Sequence, residues 1–597
     1  MLLDPAILLS DPTFTTTNNL ASVFPHKRPL HYWSKSSLFA NPVVSWILTD
    51  TGNIPVDRRS KDNQVLFKGT FDCLAKGEVV ALFPEGTSYT EPRIMQVKDG
   101  ASWSALEFAK WAREHKTHKK PLIIVPAGIV YTEKAKYRSR VIVEFAKPII
   151  LDEYAEEFMS DEPGKNKSAV KKLTARIEEE LERITINAPD WETLYCARIA
   201  RDMLWQGDKS ISLDDYVLVS QTLVDLFSTP MLTSSYGSLR KALLTYYSLL
   251  QSTNLTNSTL SRLPLPDNLN PSQATTLPSR LSTLLILLSD TFGLIIRIPL
   301  FLLPFLIHAP ALAAARHGAN IAQEEETEAQ NKVVFALLLL LCIYPSIFLF
   351  LWVIFRMSST GAAIALAMTY ALIMHYHRIV DSSYDQAKRL VAAWRVLLGV
   401  WMPKKWDLSI SALTPYITPH VPPPSEFIDK KKIKSGTNTP APSSPDAASE
   451  PTTPLLVSAK RPKRRVPTRQ LIRHVLRARL EASKLLAMFF AELERSSSSK
   501  KQVRASTYLT ALYGTSFSFS FSSPPPTQQQ GDISPNGSSS PQAQGYRDAR
   551  EVIGFLRDHG ANIGQLRTPV EGDWAAVSSD GESFDHGSTD DDIVWVT

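Results

Sequence analysis

The stretch "FPEGTSYTEP", residues 83–92, follows the apolar run "EVVALF" and sets a carboxylate, a glycine and hydroxyls where that run ends. Gly86 lets the backbone turn sharply and expose its N–H, while Glu85 can accept hydrogen bonds from a polyol hydroxyl or fix an arginine. Upstream, "GNIPVDRR" offers Gly52 for a turn, a short apolar strand, and then Arg58 and Arg59 at its mouth. A guanidinium at a strand end holds a phosphate through two parallel hydrogen bonds, which a lysine does not reproduce. Taken alone, the arginines read as solvated charge beside Asp57, and an isolated Pro-Glu-Gly as a surface turn. Their order, with one apolar strand between them, points to an anion-binding rim.

Those residues need a sheet to hold them. Residues 1 to about 190 read as α/β, with short apolar strands alternating with helical patterns. "EVVALF" (78–83), "PLIIVPAGIVY" (121–131) and "RVIVEFAKPI" (140–149) are short and β-branched, as buried strands are. "SWSALEFAKWAREH" carries Trp103, Leu106, Phe108, Ala109 and Trp111 at helical spacing, and "AVKKLTARIEEELERITI" is a charged amphipathic helix. The expected organisation is an α/β domain over 1–195 and a helical extension over 196–275. A membrane region over 276–380 and an interfacial helix over 381–412 follow. Last come a disordered linker (413–465), a basic amphipathic helix (466–495) and a mostly disordered tail (496–597).

Within the membrane region, 333–355 is 23 residues long without a formal charge, between Lys332 and Arg356. That is enough to cross about 30 Å of hydrocarbon. Residues 357–374 follow almost without a linker, so the two are expected to form a helical hairpin. Residues 281–314 contain Asp290, Arg297 and three prolines, and read as one broken span, two short spans or an in-plane helix. "AKRLVAAWRVLLGVWMPKKW" interleaves cations with tryptophans as an interfacial helix does, or packs on the catalytic domain. "RQLIRHVLRARLEASKLLAMFFAELER", preceded by "KRPKRR", could dock on anionic lipid, carry a localisation signal or be an ordinary solvated charge run.

The formal charge of +6 on 597 residues is mild, so no nucleic-acid footprint is indicated and an anionic membrane surface is the expected partner. Cys73, Cys196 and Cys342 lie far apart without metal-ligand spacing, which fits reduced thiols and gives no zinc pattern. "MLLDPAILLSDP" lacks a basic region and meets Asp4 and Pro5 at once, so it does not read as a signal peptide.

"GNIPVDR", then "FPEGTS", then an apolar strand carrying Val125 and Pro126 resembles three consecutive blocks of the glycerol-phosphate acyltransferase superfamily. The longer wording "HYWSKSSLFANPVVSWILTDTGNIPVDRRSKDN" and "FPEGTSYTEPRIMQVKDGASWSALEFAKWA" is most similar to the fungal glycerol-3-phosphate/dihydroxyacetone-phosphate acyltransferases. The resemblance implies an α/β acyltransferase domain of mixed sheet with flanking helices, followed by transmembrane helices and a disordered C-terminal tail. It implies acyl-CoA as co-substrate, glycerol-3-phosphate or dihydroxyacetone phosphate as acceptor, and 1-acylglycerol-3-phosphate as the alternative acceptor. It implies a multi-pass endoplasmic reticulum protein, its catalytic domain facing the cytosol, with no metal or redox cofactor. Arg58 would contact the acceptor phosphate, Glu85 and Gly86 would position the glycerol backbone with Pro84 and Thr87 in the same substrate-binding set, and Pro126 would shape the opposite wall. Arg59, Arg93 and Lys98 are added on electrostatic grounds, because both substrates are anionic.

The family's first block is a histidine, four residues and an aspartate, the histidine acting as general base in one tautomer. Here "MLLDP" supplies Asp4 in the aspartate's place, and the histidine's place falls two residues ahead of Met1. Three readings stand: an N-terminally shortened chain, a catalytically silent lipid-binding module, or a histidine recruited from elsewhere. His26 and His31 precede "YWSKSSLF" and are not promoted to that role.

Overall fold

A computed structural model describes residues 30–56, 63–86, 89–115, 121–132, 140–205, 211–229, 235–260, 280–321, 325–401, 408–422, 468–495, 502–505, 509 and 545–563. The N-terminal part alternates as expected: β1 (Leu30–Lys35), a 3-10 turn (Ser36–Ala40), α1 (Pro42–Asp50), β2 (Asn53–Val56), α2 (Asn63–Ala75) and β3 (Val79–Ala81). These strands form one parallel sheet in the order β2-β1-β3, with Lys35 level with Val56 and Tyr32 level with Ala81. Helix α2 lies close on it, since a Cβ at Gly69 would come within 2.7 Å of the Ile54 side chain. Phe67 and Phe71 of α2 pack with Trp33 and Phe108, and Trp33 Nε1 donates to Thr70 Oγ1 at 2.9 Å.

Helix α3 (Gly100–His115) joins two cores: Leu106 faces one with Ile149, Leu173 and Ile177, and Phe108 faces the aromatic one. The expected strand 121–131 is interrupted at Val125 and Pro126, giving β4 (Ile123–Ile124) and β5 (Ala127–Tyr131). The next is likewise split into β6 (Val141–Phe145) and β7 (Ile149–Ile150). Pro126 has no N–H to continue a ladder. The result is two antiparallel pairs, β4-β7 and β5-β6, separate from the parallel sheet. The mixed sheet expected as one unit is thus three small sheets. Ile123 and Ile150 are exposed, contrary to the expected buried strands.

Then come α4 (Asp152–Phe158), α5 (Lys165–Arg183), α6 (Trp191–Leu204), α7 (Tyr216–Ser228), α8 (Tyr236–Thr253) and α9 (Asn257–Leu260). Asp190 caps α6, its carboxylate accepting from Thr193 N at 2.7 Å. Three long helices follow: α10 (Arg280–Ile321), α11 (Glu325–Ile354) and α12 (Ser359–Trp401). The segment 281–314 is neither broken nor paired; α10 is a single helix. Residues 355–358 make the tight turn between α11 and α12, with Arg356 and Met357 at positive φ and Ser358 Oγ accepting from Gly361 N at 2.9 Å. The two helices thus form a hairpin. His308 of α10 ties the three together: its ring stacks on Tyr376 of α12 at 3.6 Å, and Nε2 lies 3.0 Å from Tyr344 Oη of α11. One described helix, Asn331–Ile354, is long and apolar enough to cross a membrane, with mean hydropathy 2.7. Leu337, Leu341, Phe350, Leu366 and Tyr370 on these helices are exposed.

The C-terminal half of α12 is not a free interfacial helix. Ala392 and Val396 are buried in the helical core, and a Cβ at Gly399 would come within 2.5 Å of Ile472. Its partner is the basic helix, α14 (Thr468–Arg495), after α13 (Ile410–Ile417), which stands at the start of the expected linker. Leu471, Ile472, Leu476, Leu486, Phe489 and Phe490 of α14 are all buried in that core, so its apolar face packs on protein rather than lipid. The expected tail is ordered in two places: β8 (Gln502–Ala505) pairs antiparallel with β9 (Gly545–Asp548), and α15 (Ala549–Asp558) follows. Val552, Ile553, Phe555 and Leu556 of α15 are buried, which four apolar residues at helical spacing make possible. The rest of the linker, 423–465, and the remainder of the tail lie outside the described residues.

Candidate active site

Because β1, β2 and β3 are parallel, the chain leaves all three at one edge, after Lys35, Val56 and Ala81. Open parallel sheets bind ligands outside the carboxyl ends of their strands, and the order 2-1-3 places the crevice between β1 and β3. The segment "FPEG" emerges from β3 there. Arg58 and Arg59 come two and three residues after Val56, the last residue of β2. They lie outside the described residues, as do Asp4 and Thr87.

Pro84, Glu85 and Gly86 form a turn closed by Gly86 N donating to Phe83 O at 3.2 Å, with Gly86 at φ +77. Only glycine adopts that conformation without strain. The following loop folds back and clasps the turn. Lys98 N donates to Pro84 O at 2.8 Å, and the buried Gln96 donates from Nε2 to Glu85 O at 3.2 Å. The Lys98 side chain lies across the glycine, so that a Cβ at position 86 would stand 2.8 Å from its Cδ and 3.4 Å from its Nζ. An ammonium and a carboxylate therefore sit on one turn at the mouth of the parallel sheet.

Tyr89 braces the loop, its hydroxyl accepting from Met95 N at 3.0 Å. Burial, followed by the negative charge of Glu85, pushes the Tyr89 phenol up to about 12, so it stays protonated at any physiological pH. The loop is fixed further by Asn187, whose Oδ1 accepts from Ile94 N at 2.9 Å, while Ala188 N donates to Pro92 O at 3.0 Å. Asn187 in turn donates its N–H to Gln221 Oε1 at 2.8 Å, and Gln221 Nε2 reaches Asp225 Oδ1 at 3.0 Å. Desolvation raises the buried Asp225 carboxyl to about 7.

Of the residues singled out from the sequence, the structure brings Pro84, Glu85, Gly86 and Lys98 together. Arg93 is exposed on the clasping loop, and Pro126 is buried ahead of β5, its carbonyl accepting from Ala146 N at 2.9 Å in a separate sheet. Gln96, Tyr89 and Asn187 were not foreseen. A lone glutamine between Met95 and Val97 is a weak hint of a buried amide, and Asn187 lies 93 residues from its partner. His31 stands at the opposite, N-terminal edge of the sheet, level with Val80 at the start of β3.

Residues 16–130 match the family described as Acyltransferase. The chain is 31% identical over 163 residues to glycerol-3-phosphate O-acyltransferase 2 of Saccharomyces cerevisiae, covering 27% of this chain and 21% of that protein. It is 27% identical over 214 residues to glycerol-3-phosphate O-acyltransferase 1 of the same yeast, covering 35% and 25%. It is also 32% identical over 84 residues to a 1-acyl-sn-glycerol-3-phosphate acyltransferase of Chlamydomonas reinhardtii, covering 14% and 25%. The matched stretches thus span a quarter or less of these relatives' length. No solved structure matches the chain. The parallel sheet, the clasped "FPEG" turn and these likenesses fall on the same residues, so that residues 16–130 form a domain matching the Acyltransferase family and similar to the yeast glycerol-3-phosphate O-acyltransferases.

Proposed function

We propose that the chain transfers a fatty acyl group from acyl-CoA to the sn-1 hydroxyl of glycerol-3-phosphate or dihydroxyacetone phosphate at a membrane surface. The observation that carries this reading is the juxtaposition of Glu85, Gly86 and Lys98 at the carboxyl edge of a parallel sheet in which β2, on the other side of β1, is followed in sequence by Arg58. Arg58 holds the acceptor phosphate, Glu85 accepts from a glycerol hydroxyl, and Lys98 adds positive charge. The acceptor oxygen attacks the thioester carbonyl, the new C–O bond forms as C–S breaks, and the proton leaves to the base while the thiolate departs as CoA. General-base assistance is worth about 10²- to 10⁴-fold. His31 faces the other edge and does not supply it; Asp4 belongs to the block that orients a base. Helix Asn331–Ile354 anchors the domain, and the endoplasmic reticulum is the proposed membrane.

The relatives named for 1-acylglycerol-3-phosphate favour that acceptor as the second reading. Acyl transfer from radiolabelled acyl-CoA to glycerol-3-phosphate, dihydroxyacetone phosphate and lysophosphatidate, compared on one preparation, separates the two. The first acceptors are expected to have the higher kcat/KM; transfer to lysophosphatidate alone would replace the proposal with the second reading.

A further inference from the structure

Three residues without a shared sequence pattern meet at the edge of the parallel sheet opposite the candidate active site. His31, Cys73 and Glu78 each present one donor atom, and these atoms lie within 4.8 Å of one another. The place is built by ordinary backbone devices. Helix α2 ends in a reversal in which Gly77, at φ +78, donates to Leu74 O at 2.9 Å while Glu78 N donates to Cys73 O at 3.1 Å. That pattern closes the helix end and lays Glu78 back beside Cys73. Parallel pairing sets His31 level with Val80, and Glu78, just ahead of β3, reaches the imidazole with Oε2 2.9 Å from Nε2.

The imidazole is held from behind. His31 Nδ1 lies 2.9 Å from Gly52 O, a carbonyl that can only accept, so Nδ1 carries the proton. A Cβ at Gly52 would come within 3.0 Å of that nitrogen, so the glycine also sets the ring's position. Nε2 faces Glu78 Oε2 at 2.9 Å, yet it is buried without an aligned hydrogen-bond partner. Two acceptor atoms at that separation call for positive charge between or beside them. Imidazole, thiolate and carboxylate together form a donor set for zinc, which accepts all three at about 2.0 to 2.3 Å. A backbone carbonyl on the distal ring nitrogen is the usual way a ligating histidine is oriented.

We propose that His31 Nε2, Cys73 Sγ and Glu78 bind one zinc ion, with solvent in the fourth position. Cys73 releases its thiol proton to solvent as the Zn–S bond forms. The ion joins β1, β3 and the end of α2, and through Gly52 the start of β2, at the edge away from the reacting groups. Sequence spacing could not reveal the site, because the histidine stands 42 positions before the cysteine and only the sheet brings them together.

The test uses the full chain in detergent, stripped with a chelator and titrated with Zn²⁺ or Co²⁺. One metal per chain is expected, with a thiolate-to-cobalt charge-transfer band. Cys73→Ser and His31→Ala abolish the band, Cys342→Ser retains it, and Gly52→Ala weakens binding roughly 10- to 100-fold, as distal-shell changes do. If the variants do not fold, the cobalt spectrum of the unmodified chain and of Cys342→Ser decides. No metal uptake, which leaves His31 and Glu78 as a direct ion pair, would overturn the proposal. So would a band that survives in folded Cys73→Ser or is lost in Cys342→Ser.

Discussion

Gly86 and Lys98 compete for the same space, and the competition makes the glycine's role testable. Gly86→Ala places a methyl 2.8 Å from the Lys98 Cδ and puts an L-residue at φ +77, a conformation that costs about 1–2 kcal/mol. Acyl transfer should fall in Gly86→Ala, and adding Lys98→Ala should relieve the clash while leaving the backbone strain. Thermal melts of the two variants check this: if the double variant is as unstable as the single, the lysine does not cover the glycine. Tyr89→Phe removes the acceptor of the Met95 N–H and leaves a part-buried donor unsatisfied, at about 1–3 kcal/mol. Its kcat/KM should drop with the loop's order, read by hydrogen exchange at 94–98; unchanged exchange would contradict the bracing role. Glu85, Gly86 and Pro84 were legible because proline, glycine and a carboxylate after an apolar strand have local consequences. Gln96 and Asn187 were not, because their partners are set by tertiary folding.

Elements carry the site through α7 and the loop between α5 and α6. The chain of hydrogen bonds from Asp225 through Gln221 and Asn187 ends on the loop that clasps the "FPEG" turn. Asp225 titrates near 3.8 when unfolded and at about 7 when folded. Between these values only the unfolded state gives up its proton, so folding stability falls as pH rises across that window and is level above it. Asp225→Asn should flatten this slope in denaturant melts taken from pH 4 to 8; an unaltered slope would show that the carboxyl does not titrate there. The strands β2 and β3 were readable from apolar runs beside turn residues, whereas β1, "LHYWSK", has no such run. The splitting of 121–131 and 140–149 was not, since Pro126 interrupts a ladder only once a partner strand is in place. The basic helix α14 was recognised as amphipathic, but periodicity does not tell a protein-facing stripe from a lipid-facing one, and here the stripe faces α8, α12 and α15.

At the scale of the molecule, the C-terminal segment closes the helical core far from its own neighbours in sequence. Trp205 Nε1 donates to His559 O at 3.0 Å and Asn562 N to Leu204 O at 2.9 Å, so α15 is fastened to the end of α6. Phe555→Ala should cost about 3–5 kcal/mol in denaturant unfolding; a midpoint at the wild-type value would mean that α15 is not part of the core. The intervening polar sequence hid this return, because disorder-promoting composition on both sides of a short amphipathic helix says nothing of where the helix docks. On the proposed function, the arginine after β2 and the carboxylate after β3 meet at one anionic-acceptor pocket. A double-mutant cycle on glycerol-3-phosphate binding, using Arg58→Ala, Glu85→Ala and the pair in full-length protein, tests it most directly. Coupling of about 0.5–3 kcal/mol is predicted for residues that share a ligand, whereas losses that add to within about 0.5 kcal/mol would place the two side chains in separate sites.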